Sequence, residues 1–264
     1  MQTAPIAAHS MFTIPVEQSM SRNYPPEAKL QGFLESDWID EILYQVKPGK
    51  EATVFCCRGG SAAPADLLAA KVYHDRRFRG FANDTTYQTG RVILDRRARR
   101  AVAKKTGFGR TVQTGLWTAS EFETLGLLHA AGAAVPRPLV CSDDVILMEF
   151  VGDDTGPAPL LNRVSPDRDE AMHLFDGLLR NIELWLARDR IHADLSPFNI
   201  LYWAGALTVI DFPQAVDPRF NADAHDLLRR DIANVCGYFA RYGVSADPLC
   251  LADSLWSRFE RSDL

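Results

Sequence analysis

A chain of 264 residues can form one large domain or two small lobes with a buried core. Hydrophobic residues make up 47% of the chain and charged residues 24%, and the net charge of -5 excludes a protein that binds nucleic acid over its whole surface. No apolar run approaches the ~18 residues of a membrane span, and residues 1–22 lack the pattern of a secretory signal. We therefore expect a cytoplasmic protein with no membrane partner.

The cysteines support a reducing compartment. They are scattered along the chain and form no C-x-x-C pair, so we expect buried thiols and neither disulfides nor a zinc site. The five are Cys56, Cys57, Cys141, Cys236 and Cys250.

The first predicted element is a helix over Glu27–Glu35, which follows two prolines and places Leu30, Phe33 and Leu34 on one face. The preceding residues, 1–26, contain four prolines and no sustained period. They predict a mobile or loosely docked arm.

Two strands are predicted next, over Ile39–Val46 and Ala52–Arg58, joined by a turn over residues 47–51 that carries Gly49 and Lys50. Such a turn can lay backbone N–H groups and the charge of Lys50 over phosphates. A simple hairpin turn is the alternative interpretation, because the segment is neither G-x-G-x-x-G nor a P-loop.

A third strand is predicted over Leu67–Tyr73, where Lys71 interrupts an apolar run. A lysine is costly to bury unless its charge is paired. It either grips nucleotide phosphates and pairs with a glutamate, or lies on a solvent face while Ala70 and Val72 face the core.

A basic segment follows, over about residues 76–110, and is predicted to be helical in its middle. Within Arg91–Arg110, eight lysines and arginines stand against one acid, Asp95. The segment is either a surface for RNA or an acidic partner, or a solvated charged face.

A second helix is predicted over Trp117–Ala131, and either Glu121 or Glu123 on it can pair with the lysine of the third strand. Strands over Arg137–Cys141 and Val145–Phe150 follow. The second of them runs into a glycine- and aspartate-rich stretch typical of a linker between two lobes.

The most informative stretch is Ile191–Gln214, preceded by a long amphipathic helix over Asp169–Ala187. We predict a tight loop, a strand over residues 200–203, a turn, and a strand over residues 207–210. This hairpin would bring Asp194, Asn199 and Asp211 to one side of a cleft. Phosphoryl transfer needs these side chains, as a base and as ligands of the metal that bridges the phosphates. Each piece alone is common in proteins; the ordered combination is not. Two further helices are predicted, one within residues 217–243 and one over Ala246–Phe259.

Several short motifs occur in a fixed order along the chain. They are G-K-E-A at residues 49–52, A-K-V-Y at 70–73, E-F-x-x-L at 121–125, V-P-R-P at 135–138, L-M-E-F-V-G at 147–152, P-A-P-L-L at 157–161, I-H-A-D-L-S-P-F-N-I-L at 191–201, V-I-D-F-P-Q-A-V-D at 209–217 and R-D-I-x-N-V at 230–235. Together they make the chain resemble the RIO family of atypical serine protein kinases.

The resemblance implies an α+β, two-lobed protein-kinase-like fold. The N-lobe, 27–150, would hold an antiparallel sheet with a helix, and the mostly helical C-lobe, 151–264, would lack a long activation or substrate-docking segment. Because residues 1–26 are too few for the winged helix of one RIO branch, we expect the chain to resemble the branches that lack it.

The resemblance also implies the site residues. Lys71 and Glu121 would form the ion pair, Asp194 would be the catalytic base, Asn199 and Asp211 would bind Mg²⁺, with Mn²⁺ as an alternative, and Met148, Glu149 and Val151 would form the hinge that holds ATP. Asp211 is also a candidate phosphate acceptor.

The function expected from this resemblance is a serine/threonine protein kinase or ATPase that acts on a protein or on itself. Two alternatives remain open. One is a small-molecule phosphotransferase of the aminoglycoside or choline kinase type. The other is an ATP-dependent scaffold for a ribosomal or RNA partner that binds through Arg91–Arg110.

Overall fold

An antiparallel sheet of five strands forms the first half of the molecule in the computed structural model, which describes residues 25–49, 51–74 and 107–264. The strand order is β1-β2-β3-β5-β4, so β3 lies in the middle and β1 and β4 at the edges. The bounds are Ile39–Pro48 for β1, Ala52–Gly59 for β2, Leu67–Tyr73 for β3, Pro138–Cys141 for β4 and Val145–Glu149 for β5.

The helices agree in order with the sequence prediction but differ in two bounds. The helix expected at residues 27–35 is split into a 3₁₀ turn, Pro26–Leu30, and a short α-helix. The helix expected from residue 117 begins ten residues earlier. The bounds are Gln31–Glu35 for α1, Gly107–Ala130 for α2, Arg168–Leu186 for α3, Ala224–Phe239 for α4 and Pro248–Glu260 for α5.

The two faces of the sheet are both covered. One face packs Leu68, Ala70 and Val72 of β3 against Leu30 and Phe33 of the N-terminal helical turn and α1. The opposite face joins α2 and the main core of the molecule, which continues into the helical half. Since alternate residues of a strand point to opposite faces, Ala69, Lys71 and Tyr73 share this second face, which we call the cleft face.

The helical half begins after β5. Helix α3 starts at an N-cap, Asp167, which accepts the Glu170 N–H at 2.9 Å. A two-residue pair, β6 (Gly152–Asp153) and β7 (Gly156–Pro157), precedes α3. Helices α4 and α5 close the end of the chain, and only residues 212–223 separate Asp211 from α4.

A β-hairpin sits between α3 and α4. Its strands are β8, Ile200–Trp203, and β9, Ala206–Val209. Both turn residues, Ala204 and Gly205, have positive φ angles, of 49° and 80°, which match the twist of a two-residue hairpin.

Some sequence predictions fall outside the described residues: nearly all of the N-terminal arm, Lys50, and the basic segment up to residue 106. In the part of the chain that is described, no helix is both long and apolar enough to cross a bilayer. All five cysteines are free thiols; Cys56, Cys57 and Cys236 are buried as expected, but Cys141 is only partly buried and Cys250 is exposed. The expectation of five buried thiols is therefore wrong for those two, and Cys250 is exposed because it lies on the outer side of α5.

Candidate active site

Lys71 lies in the middle strand of the sheet, opposite Val54 of β2 and Ile146 of β5. Only 8% of its surface is exposed. The alternative that places this lysine on a solvent face is therefore wrong. Ala70 and Val72 are buried, as that alternative expected, but Lys71 is buried as well, because the cleft face is covered by α2 and the helical half.

The buried ammonium of Lys71 contacts two carboxylates. Its Nζ lies 2.7 and 3.0 Å from the two oxygens of Glu121 and 2.6 Å from Oδ1 of Asp211. Burial alone would lower the pKa of Lys71, but Asp211 and Glu121 outweigh it and hold the pKa well above its usual value. The lysine is therefore a fixed cation that joins two halves of the chain.

Glu121 on α2 is the acid that pairs with Lys71, and Glu123 is exposed to solvent. The Glu121 carboxylate also accepts hydrogen bonds from the Tyr73 hydroxyl and from the backbone N–H of Phe212, the latter at 3.0 Å. The carboxylate thus bonds to the sheet and to the strand end that carries Asp211. Sequence reasoning missed Tyr73, although it lies two residues after Lys71 and so on the same face of the strand.

The hairpin brings Asn199 and Asp211 together. Ile200 pairs with Val209, and the N–H of Ile210 donates to the carbonyl of Asn199 at 2.9 Å, so the residues that flank the hairpin lie side by side. The Asp211 side chain is 42% exposed. Burial would raise its pKa, but the nearby positive charge, that of Lys71 above all, outweighs burial and holds the pKa below its usual value.

Asp194 lies on the loop before the hairpin and is exposed. Partial burial and the charge of Asp211 raise its pKa, and Arg230 and Asn199 oppose that shift. The amide nitrogen of Asn199 donates to the Asp194 carbonyl at 2.9 Å, which ties the amide to the loop.

A buried acid on α4 holds this loop from below. Asp231 accepts the backbone N–H groups of Ala193, at 2.7 Å, and of Leu195, at 2.9 Å. Ala193 has a positive φ of 65°, which is strained for alanine, so the bonds fix a conformation the loop would not favour alone. Burial raises the pKa of Asp231 to about 7, against the effect of the two N–H donors.

Sequence reasoning gave no role to Asp231, nor to its neighbours Arg230 and Asn234, which bond to the carbonyls of Ala193 and Leu195. One signal was available, because the apolar spacing of α4 places residue 231 on the same face as its core residues. A charged residue on a core face has a specific partner far more often than not.

His192 is buried and neutral. Its Nε2 faces the Ile210 carbonyl at 3.1 Å and its Nδ1 accepts the Asp194 N–H at 3.3 Å, so the proton lies on Nε2. Burial lowers its pKa to about 4. The ring packs against Phe212 and Trp185, with centroids 4.5 and 6.1 Å away. His192 thus connects the loop to the end of β9 as a structural element.

The predicted hinge residues lie where β5 leaves the sheet. Met148 is buried and pairs with Ala69 of β3, whereas Glu149 is exposed and accepts the Arg137 N–H at 3.1 Å. The Val151 carbonyl accepts the Ala158 N–H at 2.9 Å. Of these residues, Met148 therefore lies on the cleft face, two residue pairs from Lys71 along the strand.

The turn between β1 and β2 needs Gly49. Its N–H donates to the Ala52 carbonyl at 3.0 Å, and a Cβ on residue 49 would lie 2.5 Å from that oxygen. Only glycine fits this close approach. In the residues that the structure describes, no cluster of three or more His, Cys, Asp or Glu side chains could hold a metal by itself.

The sheet, the helical half and the cleft with its lysine–glutamate pair define a two-lobed, protein-kinase-like domain. The family profile described as "RIO domain" matches residues 64–249. The chain therefore belongs to the RIO domain family, as the motifs predicted.

The chain is similar to several proteins of known name. It is 32% identical over 200 residues to the serine/threonine-protein kinase RIO1 of Caenorhabditis elegans, covering 75% of this chain and 37% of the relative. It is 31% identical over 230 residues to the RIO-type serine/threonine-protein kinase Rio1 of Haloferax volcanii, and the match covers 87% of this chain and 72% of that relative. The chain thus spans about a third of the length of the nematode relative and 34% of the human RIO1 kinase, but most of the archaeal one.

A solved structure confirms the predicted fold class. The crystal structure of the Rio2 kinase–ADP/Mg²⁺–phosphoaspartate complex from Chaetomium thermophilum superimposes with a TM-score of 0.60 at 20% identity, covering 82% of this chain and 60% of that one. The predicted kinase-like fold, with an antiparallel N-lobe sheet and a helical C-terminal half, is therefore confirmed.

Proposed function

We propose that this chain is a RIO-type phosphotransferase that uses ATP and Mg²⁺, acting as a serine/threonine protein kinase or an ATPase. One observation supports this most: the Lys71 ammonium lies between Glu121 and Asp211, residues that are 90 positions apart in the chain, in a cleft between the two lobes. A buried lysine with two acids is what a site needs to orient phosphates and hold their metal.

The donor set near the hairpin suits Mg²⁺. Asp211 offers a partly exposed carboxylate, and Asn199 uses its amide nitrogen to bond the loop, which leaves the amide oxygen as the ligand atom. Mg²⁺ prefers such oxygens and takes the rest of its shell from phosphates and water, so two protein ligands suffice. Mg²⁺ would supply charge neutralisation on the phosphates; Mn²⁺ has the same preferences.

The nucleotide base would lie at the hinge end of the cleft face. Ala69 and Met148 form an apolar floor two residue pairs from Lys71, and the backbone of Glu149 continues from it toward Val151. Lys71 would then orient the α- and β-phosphates, held by Glu121, and Lys50, outside the described residues, would contact phosphates from the turn. These roles are the ones that the resemblance to the RIO family implies for the same residues.

Asp194 would be the base. It is exposed at the mouth of the cleft, and its raised pKa favours proton acceptance from an attacking hydroxyl. The acceptor would be a serine or threonine of a protein or of this chain, or water. A solved relative is a phosphoaspartate complex, so the Asp211 carboxylate is a further candidate acceptor. The free cysteines favour the cytoplasm, and the basic segment Arg91–Arg110 remains a proposed contact for RNA or a ribosomal partner.

The direct test is to incubate the purified chain with Mg²⁺ and γ-labelled ATP and to find where the label goes. Transfer to serine or threonine supports a kinase, release as phosphate supports an ATPase, and an acid-stable but hydroxylamine-sensitive adduct supports an aspartyl phosphate. Label on small alcohols or aminoglycosides but on no protein would contradict the protein-kinase assignment. No turnover of any kind, with tight ATP binding, would favour the scaffold.

A further inference from the structure

The edge strand β1 contains a β-bulge at Val46. Gln45 pairs with Phe55 of β2, yet Lys47 pairs with Val54, which is the adjacent residue of β2. Two residues of β1 therefore oppose a single step of β2, and the bulge turns Lys47 to the face opposite the one that regular alternation would give it. Phe55 packs in the cluster around α1, so Lys47 lies on the cleft face.

Lys47 lies in the same row of the sheet as Lys71. Across the sheet, Lys47 pairs with Val54, Val54 with Lys71, and Lys71 with Ile146. Paired residues of antiparallel strands share a face, so both lysines lie on the cleft face. Two strand spacings separate their Cα atoms, roughly 10 Å. The strand also extends through Pro48, so Lys47 lies within β1 and outside the turn that the sequence predicted.

The side chain of Lys47 is exposed, and only Pro48 separates this residue from Gly49 of the turn between β1 and β2. The bulge at Val46 is one of three register shifts along β1, and it is the one that sets the face of Lys47.

We propose that Lys47 is a second phosphate-binding cation, which contacts the terminal phosphates of the nucleotide from the edge of the sheet while Lys71 contacts the chain nearer the base. This inference depends on the proposed nucleotide site. The hinge-end row of the cleft face, Ala69 and Met148, is apolar and suits the base. The next row carries a cation in β1 and another in β3, so phosphates would lie between two ammonium groups.

The test is calorimetric binding of a non-hydrolysable ATP analogue, ADP and adenosine to the full chain with Mg²⁺. Lys47→Met should weaken binding of the ATP analogue about tenfold, ADP less, and adenosine not at all, because one charge-assisted contact is worth about a factor of ten. Lys47→Arg, which keeps the charge, should bind the analogue within about threefold of the wild type. Lys47→Gln serves as a second neutral variant if the methionine variant folds poorly.

Arg58→Met is the matched control, since Arg58 is an exposed cation of the same sheet and its loss changes the net charge equally. It should bind all three ligands as the wild type does. Equal affinity of Lys47→Met and wild type for the ATP analogue would overturn the inference, as would an equal loss for adenosine or an equal loss in Arg58→Met. A wild-type chain that binds no nucleotide would overturn the proposed function as well, which separates the two failures.

Discussion

Two buried acids support the site from opposite lobes, and they do so by different means. Glu121 and Asp231 are 1% and 2% exposed. Glu121 bonds to an ammonium, a hydroxyl and a backbone N–H that belong to different elements. Asp231 bonds to two backbone N–H groups of a single loop. The first therefore connects the lobes through a charge, and the second fixes one local conformation.

This difference separates two kinds of expected defect. Loss of a group at the Lys71 centre should affect nucleotide binding, since that ammonium is the proposed phosphate contact. Loss of Asp231 should affect the free energy of unfolding and the turnover rate, since the loop carries Asp194 and two N–H groups would be left without acceptors. The comparison fails if both acids produce the same pattern of effects.

The largest effect is expected for the loss of Asp194, the candidate base on the loop before the hairpin, and it concerns the turnover rate. Asp194→Ala should lower turnover on the order of 10³-fold, because the proposed base is removed, and should leave ATP affinity nearly unchanged. Initial rates and nucleotide titrations on the same preparation measure this. Asp176→Ala, which removes an exposed carboxylate of α3, is the control. Turnover of the Asp194 variant close to that of the wild type would remove the residue from the role of base.

Removal of the acid beneath the loop should have the next largest effect. Asp231→Ala should lower the free energy of unfolding by about 3 kcal/mol, since two buried N–H groups lose their acceptor, and should lower kcat with little change in the affinity for ATP. Chemical denaturation and steady-state kinetics measure the two quantities. Asp226→Ala, on the exposed side of the same helix, should change neither by more than the measurement error.

A smaller effect, on the affinity for ATP, is expected for Glu121, the other buried acid of the comparison. Glu121→Gln keeps the shape of the side chain but removes the charge that holds Lys71, and should weaken ATP binding about tenfold. Glu123→Gln, two residues away and exposed, should bind ATP as the wild type does. Equal effects of the two variants would show that the ion pair does not position the phosphate contact.

The sequence was sufficient to predict the local hairpin that brings three of the candidate site residues close together. Asp194, Asn199 and Asp211 lie in one stretch, and the hairpin between them follows from two short strands and a turn. Contacts between segments that are distant in the chain could not be predicted from local sequence patterns. Helical periodicity left Glu121 and Glu123 as equal candidates for pairing with Lys71, and the structure separates them only because α2 packs on the cleft face of the sheet.

The supporting groups were harder still to predict. Tyr73 and Asp231 act on residues 48 and 38 positions away, and their roles follow from the packing of α2 and α4. The face of Lys47 depends on a bulge, which shifts the strand alternation on which sequence reasoning relies. Helix α2 begins at Gly107, ten residues before the apolar period that predicted it at Trp117, so that period gave no signal for its start.

The smallest expected effect concerns pH. Below about pH 6.5 the unfolded chain takes up a proton at His192, whereas the native protein excludes it until about pH 4, so the free energy of unfolding falls as the pH drops. Between pH 6.5 and 5.5 the loss is about 1 kcal/mol. Asp231 acts in the opposite direction, because its native pKa of about 7 lies above the unfolded value and stability falls as the pH rises toward 7.

The contribution of His192 can be isolated by comparing the wild type with His192→Gln. Both proteins keep Asp231, so the contribution of Asp231 cancels in the difference between them. The stability difference between the two should shrink as the pH falls through this window, in denaturation curves at several pH values. A difference that stays constant would show that His192 is protonated as readily in the native protein as in the unfolded chain.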